Sequence, residues 1–279
     1  MKKMLFLVLF CVNLDFLWTE SSGVEEVPEV SVYYVDVGQG DCTLIDYGVY
    51  EILIDAGNNW YGDDVCDFLT DKVNGKIEIL IATHPDADHI GGLDIVLQNY
   101  DVGIVIDCGK SHTTKTYKDY ISAAKTEKNV RFMYDADMFF ELGEGVVFQV
   151  IELTDTHKDN NENSVVCRLD VLNTSFLFMA DLGIEIENKF IEKFGRVDVL
   201  KVGHHGSRNS TSNLFLSTVD PSYAVISCGL DNKYGHPHKE VLDKLSLNTI
   251  LTYRTDLQGT IVATTDGTDI WFNVEPAEF

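Results

Sequence analysis

The chain has 279 residues, enough to bury one large core, and sets 21 basic against 45 acidic residues for a formal charge of -24. A field of that sign repels polyanions at long range and excludes a protein that coats nucleic acid through a broad basic surface. Carboxylates that hold divalent cations invert the local potential, so a phosphate-bearing substrate at one site remains compatible with the composition.

Lys2 and Lys3 precede the apolar run Met4 to Val12, then come polar residues and Ser21, Ser22, Gly23, the layout of a secretory signal peptide. The expectation is a signal peptide over 1–23, a single catalytic domain over 24–279, and a secreted or extracytoplasmic protein. The run is too short to span a bilayer and Asp15 interrupts it, so no stable membrane insertion is expected. Cys42, Cys66, Cys108, Cys167 and Cys228 are widely spaced with no Cys-x-x-Cys pair, which excludes a structural zinc knuckle.

From Val30 the pattern is short β-rich runs closed by turn residues: Ser31 to Val37, Cys42 to Asp46, Glu51 to Asp55 and Ile77 to Thr83. Helical spacing appears over Asp63 to Val73, Leu93 to Asn99 and Thr116 to Lys128. The second half repeats this grammar with strands Val146 to Leu153, Val165 to Leu172, Phe176 to Ala180, Val197 to Val202 and Tyr223 to Ser227. Helices are expected over Ile184 to Phe194 and Lys239 to Leu245, and terminal strands around Ile261 and Ile270. An α/β protein with two mixed β-sheets and helices on the outer faces accommodates this order.

The strongest chemical signal is the segment from Ile79 to Gly92. A buried strand delivers His84, Asp86, Asp88 and His89 into the loop at its end. Imidazole and carboxylate together suit a borderline or hard divalent ion, and alternate positions in a tight loop can point at one ion while the next pair faces another. Gly91 and Gly92 let backbone pass close by and start a helix.

This His-x-Asp-x-Asp-His loop resembles the metallo-β-lactamase superfamily signature His-x-His-x-Asp-His, with Asp86 where the second His is usual. The variant is similar to the branch containing the hydrolase domain of ComEC-like DNA-uptake competence proteins, and to bacterial phosphorylcholine esterases of the same fold. Further segments agree from about Val30 to the end: Val35 to Asp41, Ile52 to Gly57, Asn163-Ser164, Ala180-Asp181, Leu200 to Ser207, and Tyr234 to His238. The resemblance implies an αββα sandwich and a two-ion centre that activates water. Residue by residue it implies that His84 and Asp86 hold one metal, Asp88 and His89 the other, and that Asp181 bridges them.

The family's usual His before the bridging Asp has no counterpart in the segment Asp159 to Ser164. His205 is the candidate to complete the first site, with His204 either a supporting donor or the ligand itself. His236 is the candidate for the second site, with His238 as its substitute or a proton donor. Asp55 matches the superfamily carboxylate that orients ligand loops without binding metal. Asp36 and Asp41 flank Gly38-Gln39-Gly40 and are equally well explained as caps of a tight turn. Lys201, Asn163 and Ser164 are candidates to contact a substrate oxyanion, although a surface lysine and a turn Asn-Ser explain them equally well.

Asp88, His238 and Lys201 are therefore the expected catalytic groups and two divalent ions, zinc, manganese or both, the expected cofactors. The resemblance implies phosphodiester hydrolysis on a small molecule or a nucleic-acid strand, with nucleic acid entering only as substrate. Two alternatives stand beside it: a carboxyl-ester, lactone or lactam hydrolase of the same fold, and a secreted binding protein that keeps metal for stability.

Overall fold

The computed structural model describes residues 29–48, 50–127, 130–132 (backbone only), 137–153 and 158–278. The expected signal peptide therefore lies outside the described residues. Among those that are described, fifteen strands form one eight-stranded and one seven-stranded sheet.

The first sheet is built from β1 (Val30–Tyr34), β2 (Thr43–Tyr47), β3 (Tyr50–Ile54), β4 (Lys76–Ala82), β5 (Asp101–Asp107), β6 (Val130–Phe132), β14 (Ile261–Thr265) and β15 (Ile270–Phe272). Its spatial order is β15-β14-β1-β2-β3-β4-β5-β6, antiparallel as far as β3 and parallel from there. The second contains β7 (Met138–Gly143), β8 (Val146–Ile151), β9 (Val166–Val171), β10 (Thr174–Phe178), β11 (Val199–Lys201), β12 (Tyr223–Ile226) and β13 (Leu251–Arg254), ordered β13-β12-β11-β10-β9-β8-β7. It is parallel from β10 to β13 and antiparallel beyond.

Alternation along the strands explains the layering. In β4, Ile79 and Ile81 face the second sheet and pack with Phe148, Leu169, Phe176 and Phe178 in the central core. Leu80 and Ala82 face outward onto α1 (Gly62–Thr70), α3 (Leu93–Asn99) and α4 (Lys115–Ala124) through Val65, Leu69, Leu93, Val96 and Tyr120. On the other side Leu177, Leu200 and Ile226 pack under α5 (Ile184–Lys189), α6 (Asn213–Val219) and α7 (Lys239–Leu247) through Ile186, Phe215, Val241 and Leu245. Two helix layers thus enclose two sheets, the expected αββα sandwich.

β5, β6, β7, β13 and α6 lie outside the expected set, and the other differences are local. The first strand stops at Tyr34 because Asp36 accepts the Gly38 N–H and turns the chain. The helix expected to run to Phe194 ends at Lys189 and gives way to a 3-10 turn, which carries Phe194 into edge contact with Phe215. β5 escapes the pattern because Gly103 interrupts its apolar run, yet a Cβ there would stand 2.7 Å from the Glu78 carbonyl oxygen of β4. All five cysteines among the described residues are free thiols. Among the described residues no helix is long and apolar enough to cross a membrane.

Candidate metal centre

The parallel strands of both sheets end at one edge, where loops converge, the usual place for a site in open α/β sheets. β3 delivers Asp55, β4 delivers Thr83 and His84, a short helix α2 (Ala87–Ile90) carries Asp88 and His89, and the turn after β10 carries Asp181. The 3-10 turn Gly203–Gly206 after β11 carries His204 and His205.

Asp55 is wholly buried and organises the first group. Its Oδ2 accepts from His89 Nδ1 at 2.7 Å and from the Thr83 hydroxyl at 2.6 Å, and its Oδ1 accepts the Thr83 N–H. With its proton given to Asp55, the Thr83 hydroxyl is left to accept from His84 Nδ1 at 3.1 Å. Both imidazoles thereby keep their proton on Nδ1 and turn Nε2 inward.

Asp181 stands where these nitrogens point. His89 Nε2 lies 3.3 Å from its Oδ1 and His84 Nε2 3.8 Å from its Oδ2. The alternative role of Asp181 as a helix cap is absent, because α5 is preceded by Gly183 and has no side-chain cap. The Ser164 hydroxyl accepts the Asp181 N–H, so Ser164 holds Asp181 from behind.

His204 and His205 both adopt left-handed backbone angles (φ 51° and 53°), and this sends neighbouring imidazoles to opposite oxygens of Asp181. His204 Nε2 is 3.6 Å from Oδ2, the side of His84 and Asp86. His205 Nε2 is 3.5 Å from Oδ1 and 3.5 Å from Asp88 Oδ2. His205 therefore stands with Asp88 and His89 rather than completing the side of His84 and Asp86, where His204, the alternative, falls instead. Its Nδ1 donates to the Ser227 carbonyl at 3.0 Å.

Asp86 lies 4.0 Å from His84 Nε2 and accepts from the Asn160 amide at 2.5 Å, while the Asn161 amide rests 3.3 Å from His204 Nε2. The segment without the family's histidine thus brings asparagines to the site. His236 packs against imidazoles, its ring centroid 5.6 Å from that of His204 and 6.2 Å from that of His205, with its buried Nδ1 unbonded. His238 sits further out, caps α7, and accepts the Arg208 N–H on Nδ1. Lys201, expected at the substrate, is instead buried and bonded to Asp41, and Asn163 is folded back onto the Asp159 carbonyl. Asp41 is the residue that turn reasoning missed: it is buried, and its carboxylate lies 3.1 Å from His205 Nδ1.

The residues fit a cation. Nε2 of His84, His89 and His205, with Asp181 Oδ1, are buried without a hydrogen-bond partner, an arrangement that costs about 1–3 kcal/mol per atom if nothing binds there. Asp41, His89, Asp181 and His205 present ligand atoms all within 4.8 Å of one another. The local field is strongly negative. Burial would strip the proton from His205, but Asp181 and Asp41 hold its pKa up to about 10. Burial would raise Asp88, but the His205 imidazole 3.5 Å away and the neighbouring His89 hold it at about 2. His236 is pushed down to about 4 by burial and by the neighbouring imidazoles, so it is neutral near pH 7.

Residues 35–230 match the model of the metallo-beta-lactamase superfamily, and the chain belongs to that superfamily. Within it, the chain is 31% identical to ComE operon protein 3 of Bacillus subtilis over 84% of its own length and 33% of that protein. It is 31% identical to Recombination protein 2 of Haemophilus influenzae over 85% of its length and 28% of that protein. The chain thus spans about a third of the length of these relatives, and its likeness to them places it in the ComEC-like branch. Among solved structures it superposes on the metallo-beta-lactamase fold protein YhfI of Bacillus subtilis with a TM-score of 0.54. That match has 13% identity and covers 88% of this chain and all (100%) of the other. The superfamily is one of metal-dependent hydrolases, and its fold implies divalent ions at this Asp and His site.

Proposed function

We propose that this chain is a phosphodiesterase working through two divalent ions on either side of Asp181. The observation that carries the reading is the set of buried, unpartnered donor atoms facing both oxygens of that one carboxylate. In this reading His84, Asp86 and His204 hold one ion, and Asp88, His89 and His205 hold the other. A mixed imidazole and carboxylate set accepts zinc or manganese.

Divalent ions bound there supply Lewis acidity that activates water and offsets charge on phosphoryl oxygens. The chain does the rest. Asp88 stays ionised and accepts a proton from the attacking water while fixing its direction. Asp55 and Thr83 hold His84 and His89 in the tautomer that faces the centre. His238 accepts the Arg208 N–H on Nδ1, so its Nε2 carries the proton and suits donation to a leaving oxygen. His236, at the rim, is the reserve ligand for the second ion.

A nucleic-acid strand, entering only as substrate, is the phosphodiester favoured, because relatives carry the names of competence and recombination proteins. Export through residues 1–23, with 24–279 acting as one domain, belongs to the same proposal. It rests on Lys2, Lys3 and the apolar run that follows.

The test is hydrolysis of bis-p-nitrophenyl phosphate with added manganese or zinc, beside Asp88→Ala and a carboxyl-ester control. Metal-dependent diester cleavage lost in the variant is expected. Turnover of the ester alone would move the reading to an acyl hydrolase, and bound metal without turnover on either would leave a binding protein.

A further inference from the structure

The buried pair of Asp41 and Lys201 is given no catalytic step above, yet Asp41 stands at the edge of the cradle and Lys201 directly behind it. Lys201 ends β11 of the second sheet, and its ammonium donates to Asp41 Oδ2 at 2.7 Å and to the Val202 carbonyl at 3.3 Å. Asp41 comes from the first-sheet side, just before β2. Its other oxygen lies 3.1 Å from His205 Nδ1, its N–H donates to the Asp88 carbonyl at 3.1 Å, and its carbonyl accepts from Gly57 at 2.8 Å. The approach to Asp88 is so close that a Cβ on Gly40 would stand 2.4 Å from the Asp88 carbonyl oxygen. Gln39 adds a third tie by accepting the Gly229 N–H at 3.2 Å.

We infer that Asp41, held by Lys201, is a positioning residue that locks Asp88 and His205 into one register, and that the turn Gly38 to Asp41 exists to span the two ligand loops. One residue bonds the backbone of one candidate ligand and sets its carboxylate 3.1 Å from the imidazole of the other, whose Nδ1 proton goes to Ser227, and these two ligands come from opposite sheets. A carboxylate beside a ligand histidine fixes its ring and makes it a better donor. A buried lysine with its charge matched to a single carboxylate is expensive to maintain for stability alone. Lys201 also tunes the charge of the site. With the imidazoles neutral, Asp41, Asp55, Asp86, Asp88 and Asp181 against Lys201 leave a net charge that two divalent cations would match.

The inference rests on the metal reading of the cradle, and cobalt uptake separates the two. The chain is loaded with Co2+, its visible absorption recorded, and its affinity measured by competition with a chelator, for the native chain and for Asp41→Asn, Lys201→Met and the double variant. The single Lys201→Met change leaves a buried charge unpaired and lowers the melting temperature most; the double variant removes both charges and recovers it. Expected for the double variant is a metal-free melting curve near that of the native chain, a shifted cobalt spectrum and affinity about 10–100-fold weaker. A double variant with native affinity and spectrum overturns the positioning role. So does one that fails to fold, since the pair would then serve only to dock the sheets. A native chain that takes up no cobalt overturns the metal reading itself, and this inference with it.

Discussion

Oδ2 of Asp55 is shared by two donors, His89 Nδ1 at 2.7 Å and the Thr83 hydroxyl at 2.6 Å, and through Thr83 it also governs His84. One buried carboxylate therefore orients both histidines of the loop. Asp55→Ala is expected to weaken metal affinity about 10–100-fold while leaving every candidate ligand in place. Chelator competition on the purified variant measures this, and unchanged affinity would remove Asp55 from the centre.

The opposed placement of His204 and His205 predicts that each serves a different ion. His204→Ala and His205→Ala should each reduce bound metal from two equivalents to about one, and elemental analysis after dialysis counts them. If His204→Ala retains the full complement, the Asn161 segment and not His204 completes the side of His84.

Gly40→Ala drives a methyl into the Asp88 carbonyl oxygen. The loop must shift, at a cost of about 1–3 kcal/mol in stability and with loss of metal binding. Gly48→Ala has open space around its Cβ, so its left-handed φ of 66° costs stability without disturbing the site, and it should keep its metal. Denaturant midpoints and metal content of the two variants, measured together, decide the point.

Glu187 sets a pH dependence away from the metal centre. Its carboxyl is buried, accepts the Thr211 and Ser212 N–H groups, and is pushed up to about 7 by burial from an ordinary value of 4.5. Between those values the unfolded chain has released a proton that the folded chain still holds, so the folded state loses stability as pH rises through the window and levels off above it. The loss is on the order of 3 kcal/mol. Melting curves between pH 4.5 and 7.5 should fall less steeply for Glu187→Gln than for the native chain, and parallel slopes would contradict the assignment.

The loop of His84 to His89 was legible in the sequence because its spacing has few other uses, and most of the strands because their apolar runs stand out, but β5, β6, β7 and β13 were not. The sides on which His204 and His205 fall were not. The two residues are identical and adjacent, and only the left-handed backbone at both separates them. Asp41 carries the same turn chemistry as Asp36 in sequence, and only the three-dimensional approach of Lys201 distinguishes a buried anchor from a cap. Asn160 and Asn161 were hidden because asparagines in a turn read as backbone caps, and only the fold brings their amides to Asp86 and His204.

Neither half of the chain can assemble the centre alone: the segment from Asp55 to His89 belongs to one layer, and Asp181, His204 and His205 belong to the other. Hydrolytic capacity is therefore a property of the finished sandwich. A nascent or half-denatured chain, with only one layer formed, would hold only part of the donor set and so could not gather a cation there.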